Sequence, residues 1–124
     1  MKKFKLAGAV FILLSVVLGA FASHLLKNYL EVDQLTSLET GIRYMMYHGL
    51  ALLIISNFKM ANNTWIFRLF FWGTILFSLS IFLLSTQKLF SMDLKWLGPV
   101  TPIGGTLLII GWVLFVFKIL KDKA

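Results

Sequence analysis

The stretch LAGAVFILLSVVLGAFASHLL, residues 6–26, runs for 21 residues without one charged side chain. The hydrocarbon core of a bilayer is roughly 30 Å thick, and an α-helix needs about 20 residues to cross it. Three further apolar segments of similar length follow it, at 40–58, 65–85 and 100–117. Only the second and third segments carry formal charge, at Arg43 and Arg68. The sequence therefore predicts an all-α integral membrane protein, a four-helix bundle with up-down topology.

The composition supports a membrane protein of one domain, residues 1–124. Hydrophobic residues make up 59% of the chain and charged residues 14%. A soluble domain of 124 residues has too little interior for so many apolar side chains. The chain has no cysteine, which excludes disulfides and cysteine-based metal sites. Its net charge of +7 lies beside apolar segments, so it predicts orientation in a membrane and no nucleic acid partner.

Basic residues concentrate on one side of the predicted membrane. That side has eight of the twelve Lys and Arg residues, namely Lys2, Lys3, Lys5, Lys59, Arg68, Lys118, Lys121 and Lys123. The other side has fewer basic residues and most of the acids, namely Lys27, Lys88, Lys95, Glu31, Asp33, Glu39 and Asp93. Because positive loops favour the cytoplasmic side, we expect a multi-pass protein of the cell (inner) membrane with both termini in the cytoplasm.

A secretory signal peptide is the alternative interpretation of the N-terminus. Three lysines precede an apolar run that ends in the small-residue stretch Ala20-Phe21-Ala22. The run is long for a signal peptide, and removing it would break the predicted bundle. The spanning-helix interpretation is therefore favoured.

Small residues predict where the helices approach one another. Helix one has Gly8, Ser15, Gly19 and Ser23 on one stripe, and such stripes allow close packing in lipid. Further positions with this structural role are Gly41 in helix two and Gly104, Gly105 and Gly111 in helix four.

Capping signals predict the helix starts. Thr36 and Glu39 fit the N-cap and N3 positions of a capping box for helix two. Glu39 and Arg43 are then four residues apart and can form an ion pair. Asn63 or Thr64 is the predicted N-cap of helix three. Thr101 suits the N-cap of helix four, with Pro102 at its first helical position.

Unusual polar groups gather in the extracytoplasmic half of the predicted bundle: His24, Arg43, Tyr44, His48 and Thr101. Ionisable residues inside a span are costly and suggest function. The first hypothesis is a pocket for an anionic or polar group, such as a lipid headgroup. The second is a proton or ion pathway through His48, and the third is a haem or metal site formed by both histidines.

Each of these residues also has a structural interpretation. Arg43 can extend to the outer headgroups and pair with Glu39, and His24 can be a neutral interfacial residue. His48 can be a neutral histidine that is hydrogen-bonded to a facing serine, threonine or backbone carbonyl. No HExxH, GxSxG or pair of intramembrane carboxylates is present, so we expect no enzyme, no cofactor and no metal.

Three blocks carry a resemblance to a known family: GAFASH at 19–24, TGIRYMMYHGLAL at 40–52, and GPVTPIGG at 98–105 with Gly111-Trp112. They resemble the G-A-F-G-A-H, T-G-x-x-Y-x-x-x-H-x-L-A-L and G-x-x-T-P-x-G-G…G-W patterns of the YgdD/YwdK family. That resemblance implies a small inner-membrane protein with four spans and no established activity. In helix three, Leu79 and Phe82 replace a glycine and a tyrosine of the pattern, which argues against a polar role for that helix.

The expected function is structural or binding. An extracytoplasmic pocket would hold a lipid headgroup or a small polar ligand, and the candidate partners are the bilayer, a second copy of the chain or another membrane protein. The alternative is a small oligomeric transporter or channel element. Transport would require a polar route through the inner half of the bundle, for which Ser56, Ser78, Ser80 and Ser85 are the candidates.

Overall fold

The computed structural model describes residues 2–58 and 64–121, and these residues are mostly helical. The first two helices are α1 (Lys2–His24) and α2 (Val32–Ile55). A third rod consists of α3 (Thr64–Thr74), a π-helical turn (Ile75–Leu79) and α4 (Ser80–Thr86). The last helix is α5 (Val100–Lys121). Short 3-10 helices occupy the connections at Leu26–Asn28, Gln87–Phe90 and Lys95–Leu97. Lys59, Lys123 and the predicted cap Asn63 lie outside the described residues.

Three helical stretches are long and apolar enough to cross a membrane. They are Lys2–Asn28, Thr64–Phe90 and Lys95–Lys121. Helix α2 also has 24 residues, but its first half includes Asp33, Glu39 and Arg43, and it is not among the three. The structure is therefore all-helical, with four long helical rods, three of which suit a bilayer by length and composition.

Rods that follow one another along the chain run in opposite directions where they pack. The backbone of α1 meets that of α2 at Gly8 and Gly49. The third rod packs against α2 where Ile81 meets Gly41, and against α5 where Leu108 meets Gly73. Rings near the chain termini also pair: the centroids of Phe4 and Phe67 are 4.9 Å apart, and those of Phe58 and Phe115 are 5.8 Å apart. We call this the terminal end, and the end with residues 24–40 and 81–101 the distal end.

The largest apolar core lies toward the terminal end. Its most deeply buried members are Phe4, Leu52, Ile55, Ile66 and Phe70, each at most 2% exposed. A smaller core at the distal end joins Ala22, Leu30 and Leu38, with Leu35 packed against them. Beside this second core, the observed start of helix two differs from the predicted start.

Helix α2 begins at Val32, several residues before the predicted start. Its N-cap is Glu31, whose backbone N–H donates to Gln34 Oε1 at 3.2 Å. The predicted capping box of Thr36 and Glu39 is therefore wrong. The reason is tertiary, because Leu35, the residue before the predicted cap, packs as part of the helix against the distal core.

Helix α5 also begins before its predicted cap. Val100 is its first residue, so Thr101 is a helical residue and its predicted N-cap role is wrong. The hydroxyl of Thr101 instead lies 2.6 Å from the hydroxyl of Ser80 in α4. Pro102 is the third helical residue, and its missing N–H costs nothing there because the first four N–H groups of a helix have no partner within it.

Two glycine contacts set the distance between rods. A Cβ at Gly8 would lie 2.6 Å from the carbonyl oxygen of Gly49, so α1 and α2 touch backbone to backbone. A Cβ at Gly104 would collide with the backbone of Phe77, inside the π-helical turn. Only a residue without a side chain fits at either position. Gly19 and Gly105 are less crowded, with their nearest neighbours at 3.9 Å and 3.5 Å.

Candidate functional site

His48 lies in the middle of α2 and is 5% exposed. Its Nδ1 lies 2.7 Å from the carbonyl oxygen of Tyr44. A carbonyl oxygen can only accept, so Nδ1 carries the proton and donates. The other nitrogen, Nε2, accepts the indole N–H of Trp112 in α5 at 2.9 Å. Both ring nitrogens are therefore used within the protein, and the tautomer follows from the two partners.

Aromatic rings enclose this histidine. The ring centroids of Phe70 and Trp112 lie 5.5 Å and 5.8 Å from that of His48, and both pairs meet edge to face. Phe70 and Trp112 also contact each other, with centroids 4.8 Å apart. His48 thus joins α2, α3 and α5 at one level of the bundle. The sequence interpretation offered a facing serine, threonine or backbone carbonyl as the partner of His48 and did not name Tyr44 or Trp112 in that role. The only signal for Trp112 was its place in the Gly111-Trp112 motif.

Hydroxyl groups of the third rod join the other helices nearer the distal end. Ser78 Oγ donates to the carbonyl oxygen of Gly41 in α2 at 2.7 Å. Ser80 Oγ donates to the carbonyl oxygen of Phe77 at 3.0 Å, which leaves the Thr101 hydroxyl to donate to Ser80. These hydroxyls are polar contacts between rods. The serines remain although Leu79 and Phe82 depart from the family pattern.

A pocket of about 470 Å³ opens at the distal end, between α2, α4 and α5. We call it the distal pocket, and its lining residues are Asp33, Gln34, Ser37, Thr40, Ile81, Leu84, Ser85 and Thr101. Five of its eight side chains are uncharged and polar, and Asp33 is the one charged residue among them. The sequence interpretation placed Asp33 and Gln34 in a loop and not on a helix facing α4, and it did not name Ser37, the first residue of its predicted helix, as a site residue.

Arg43 lies beside the distal pocket, in a separate groove between α1 and α2. That groove holds about 280 Å³ and is also lined by Gly19, Ser23 and Glu39. The guanidinium of Arg43 donates to Thr40 Oγ1 at 3.2 Å. Among the described residues, no ion pair joins Arg43 to Glu39, so the predicted pair is not formed.

The predicted site residues do not meet in one place. Of the five, Thr101 lines the distal pocket, Arg43 lines the neighbouring groove, and Tyr44 packs against Phe77 with centroids 4.9 Å apart. His24 is exposed at the last position of α1. From the contacts of Gly8 with Gly49 and of Gly19 with Ile42, it lies roughly 20 Å along the bundle axis from His48, at 1.5 Å per residue.

This arrangement excludes the two-histidine site. His48 has no lone pair left for a metal, because Nε2 accepts from Trp112. Within residues 2–58 and 64–121, no group of three or more His, Cys, Asp or Glu residues is arranged to hold a metal ion.

Comparisons with known proteins identify the family. Residues 18–105 match the family model described as "Protein of unknown function (DUF423)". A UPF0382 membrane protein of Staphylococcus saprophyticus is 38% identical over 98% of this chain and 99% of its own length. The chain belongs to the UPF0382 membrane protein family.

Other UPF0382 members show the same full-length match. A UPF0382 membrane protein of Staphylococcus aureus is 40% identical over 98% of both chains. The UPF0382 membrane protein YwdK of Bacillus subtilis is 35% identical over 98% of both chains, which confirms the resemblance drawn from the sequence blocks. No solved structure matches this chain. The family model carries no function for its members.

Proposed function

We propose that this protein is a membrane-embedded binding protein whose distal pocket holds a lipid headgroup or a small polar ligand from the extracytoplasmic side. The observation that carries the proposal is the pocket of about 470 Å³ lined by both polar and apolar side chains from three rods. Small-molecule sites in proteins have volumes of about 300–1,000 Å³, so the distal pocket is large enough.

The proposal includes an orientation. All four rods cross the bilayer as an up-down bundle in the cell membrane, with both termini in the cytoplasm. The antiparallel contacts between neighbouring rods support this, as does the excess of Lys and Arg at the terminal end. Helix α2 is the least apolar rod, but Leu38, Met45, His48 and Leu52 turn inward and are buried by the other rods. The distal pocket then opens toward the outer headgroups.

The chemistry of the lining suits a polar group attached to an apolar one. The side chains of Asp33 and Ser37 have no hydrogen-bond partner among the described residues, so they are available to a ligand. Ile81 and Leu84 provide an apolar wall on α4. A lipid headgroup above its acyl chains, or a small amphipathic molecule, matches such a lining better than a simple inorganic anion does. No basic residue lines the pocket, so we do not expect the polar group of the ligand to be an anion.

A small oligomeric transporter or channel element is the alternative, and the structure offers it less support. Ser56 bonds to the carbonyl of Leu53, whereas Ser78 and Ser80 bond to other rods nearer the distal end. Ser85 lines the distal pocket. The four serines therefore do not form one continuous path. Between them lies the apolar core around Leu52, Ile55 and Phe70.

Native mass spectrometry of the full chain in mild detergent tests the binding role. Wild type should carry a bound small molecule or lipid. Ser37→Phe fills the distal pocket and should lose that molecule. Thr36→Phe is the matched control, because Thr36 is the neighbouring exposed residue of α2 and does not line the pocket.

Either of two results would contradict the proposal. One is a bare protein in all three preparations, which would favour a scaffold that acts through protein partners. The other is equal retention by Ser37→Phe and Thr36→Phe, which would place the bound molecule elsewhere on the protein.

A further inference from the structure

A second groove lies at the terminal end, between α1 and α3, far from the distal pocket. It holds about 300 Å³. Its lining is apolar except for one basic residue, Lys3, and consists otherwise of Leu6, Ala7, Val10, Phe11, Phe67 and Phe71. We call it the terminal groove. Its position and lining make it suited to a different ligand from that of the distal pocket.

The groove follows from how the rods pair. Helix α1 packs closely on α2 at Gly8, and α3 packs closely on α5 at Gly73 and Gly111. Helices α1 and α3 instead meet through stacked rings, with centroids 4.9 Å apart for Phe4 and Phe67 and 5.7 Å apart for Phe11 and Phe71. Large side chains between two helices hold their backbones apart, which leaves a channel along the outer side of the rings.

The mouth of the terminal groove is strongly positive. Lys3 Nζ lies 5.1 Å from the centre of the Phe67 ring, so its ammonium group lies over the groove wall. Lys2 and Lys5 are exposed on the same turn of α1, and that turn contains no acidic residue. The N-terminus of a helix also carries a partial positive charge. An anion at the groove mouth would be attracted by all of these groups.

We infer that the terminal groove binds one anionic phospholipid of the surrounding leaflet. Its phosphate contacts Lys3, and one acyl chain lies along Val10, Phe67 and Phe71. The charge at the mouth and the apolar wall below it match the two parts of such a lipid. A soluble anion would make no use of the aromatic wall, and a zwitterionic lipid would gain less from the lysines. This inference is independent of the distal pocket, because the two sites share no residue.

Lipid selectivity in nanodiscs tests the inference. The full chain is reconstituted in equal parts of phosphatidylglycerol and phosphatidylcholine, and the lipids that stay bound are measured by native mass spectrometry. Wild type should retain one phosphatidylglycerol. Lys3→Gln should lower its retention about fivefold, the effect of one basic residue at a membrane surface. Lys2→Gln and Lys5→Gln change the net charge equally but lie outside the groove lining, so each should lower the retention less than Lys3→Gln does.

A second pair of variants tests the groove without changing charge. Val10→Trp fills the groove and should also lose the lipid. Val17→Trp is the matched control, because both valines are 41% exposed on α1 and only Val10 lines the groove. Equal retention of both lipids by wild type would overturn the inference. So would equal losses in the three lysine variants, which would show attraction to the surface charge alone, or equal retention by the two tryptophan variants.

Discussion

At the scale of single residues, the hydrogen bonds of His48 explain why a titratable side chain can lie inside this bundle. Tyr44 accepts from one ring nitrogen and Trp112 donates to the other. A buried polar group costs free energy unless it is paired, and the cost is larger where no water can replace the partner. The neutral ring is therefore a structural link between α2 and α5.

The hydrogen bond between Trp112 and His48 predicts that substitutions of these two residues have non-additive effects on the free energy of unfolding. His48→Ala leaves the indole N–H of Trp112 without its acceptor, and it should lower the free energy of unfolding by about 1–3 kcal/mol. Trp112→Phe removes the donor but keeps a ring. The double variant should be less unstable than the sum of the two, as measured by thermal melting in detergent. Arg43→Ala, at an exposed position, should cost less than His48→Ala. Strict additivity would contradict the link.

Two buried threonines of the third rod provide a second test at this scale. Thr74 and Thr86 are each 1% exposed. Thr86 Oγ1 donates to the carbonyl of Phe82 at 2.8 Å, whereas Thr74 Oγ1 has no hydrogen-bond partner among the described residues. Thr74→Val removes an unpaired hydroxyl and should raise the melting temperature, with a gain of about 1 kcal/mol in unfolding free energy. Thr86→Val removes a hydroxyl that is hydrogen-bonded and should lower the melting temperature. A lower melting temperature in both variants would contradict the difference between the two hydroxyls.

At the scale of elements, the π-helical turn and the start of α5 depend on each other. The turn at Ile75–Leu79 widens the third rod where Gly104 of α5 meets the backbone of Leu76 and Phe77. Such turns insert one residue into an α-helix and often occur at functional positions. Here the widened turn also sets the positions of Ser78 and Ser80, whose hydroxyls bond to α2 and α5.

Alanine substitutions at two neighbouring glycines of α5 should therefore have different effects on stability. Gly104→Ala places a Cβ against the backbone of Phe77, which cannot move as a side chain can, and should cost about 1–3 kcal/mol. Gly105→Ala meets only the Phe77 ring at 3.5 Å, an ordinary contact. Because alanine favours helix by up to about 1 kcal/mol over glycine, that variant should be neutral or more stable. Melting temperatures in detergent separate the two, and similar losses in both would argue against the close approach.

At the scale of the whole molecule, the distribution of charge and apolar surface sets the proposed orientation. Exposed apolar side chains cover α1 and α5, for example Leu6, Val16, Ile109 and Leu120. In a soluble protein such a surface would drive aggregation, whereas in a bilayer it faces lipid. The lysines of the terminal end and the acids of the distal end then lie in opposite headgroup layers.

The absence of native cysteine makes the orientation directly testable. Single cysteines are introduced at two exposed positions, as Ser91→Cys in the distal loop and Lys121→Cys at the end of α5. In intact cells a membrane-impermeant maleimide should label Ser91→Cys alone, and Lys121→Cys should react only after the membrane is opened. The reverse pattern would invert the proposed orientation. Labelling of both sites in intact cells would contradict a shared cytoplasmic side for the termini.

The sequence by itself determined the features that depend on local composition. Uninterrupted apolar stretches such as residues 6–26 predicted helices for a bilayer, because no charged side chain interrupts them for a full membrane thickness. The motif blocks identified the family, and the relatives confirm it. Small residues such as Gly104 were recognised as contact positions because only glycine permits the closest approach of two helices.

The tertiary structure decided which side chains meet. Helical periodicity shows which residues share a face, but not how far each helix is rotated or shifted against its neighbours. The pairing of His48 with Trp112 spans 64 positions of the chain, and no local pattern encodes it. The early start of α2 likewise goes with the packing of Leu35, which precedes the predicted cap, against the distal core of Leu30 and Leu38. The distal pocket and the terminal groove arise from the same relative placement, because a cavity forms where the rods do not fill the space between them.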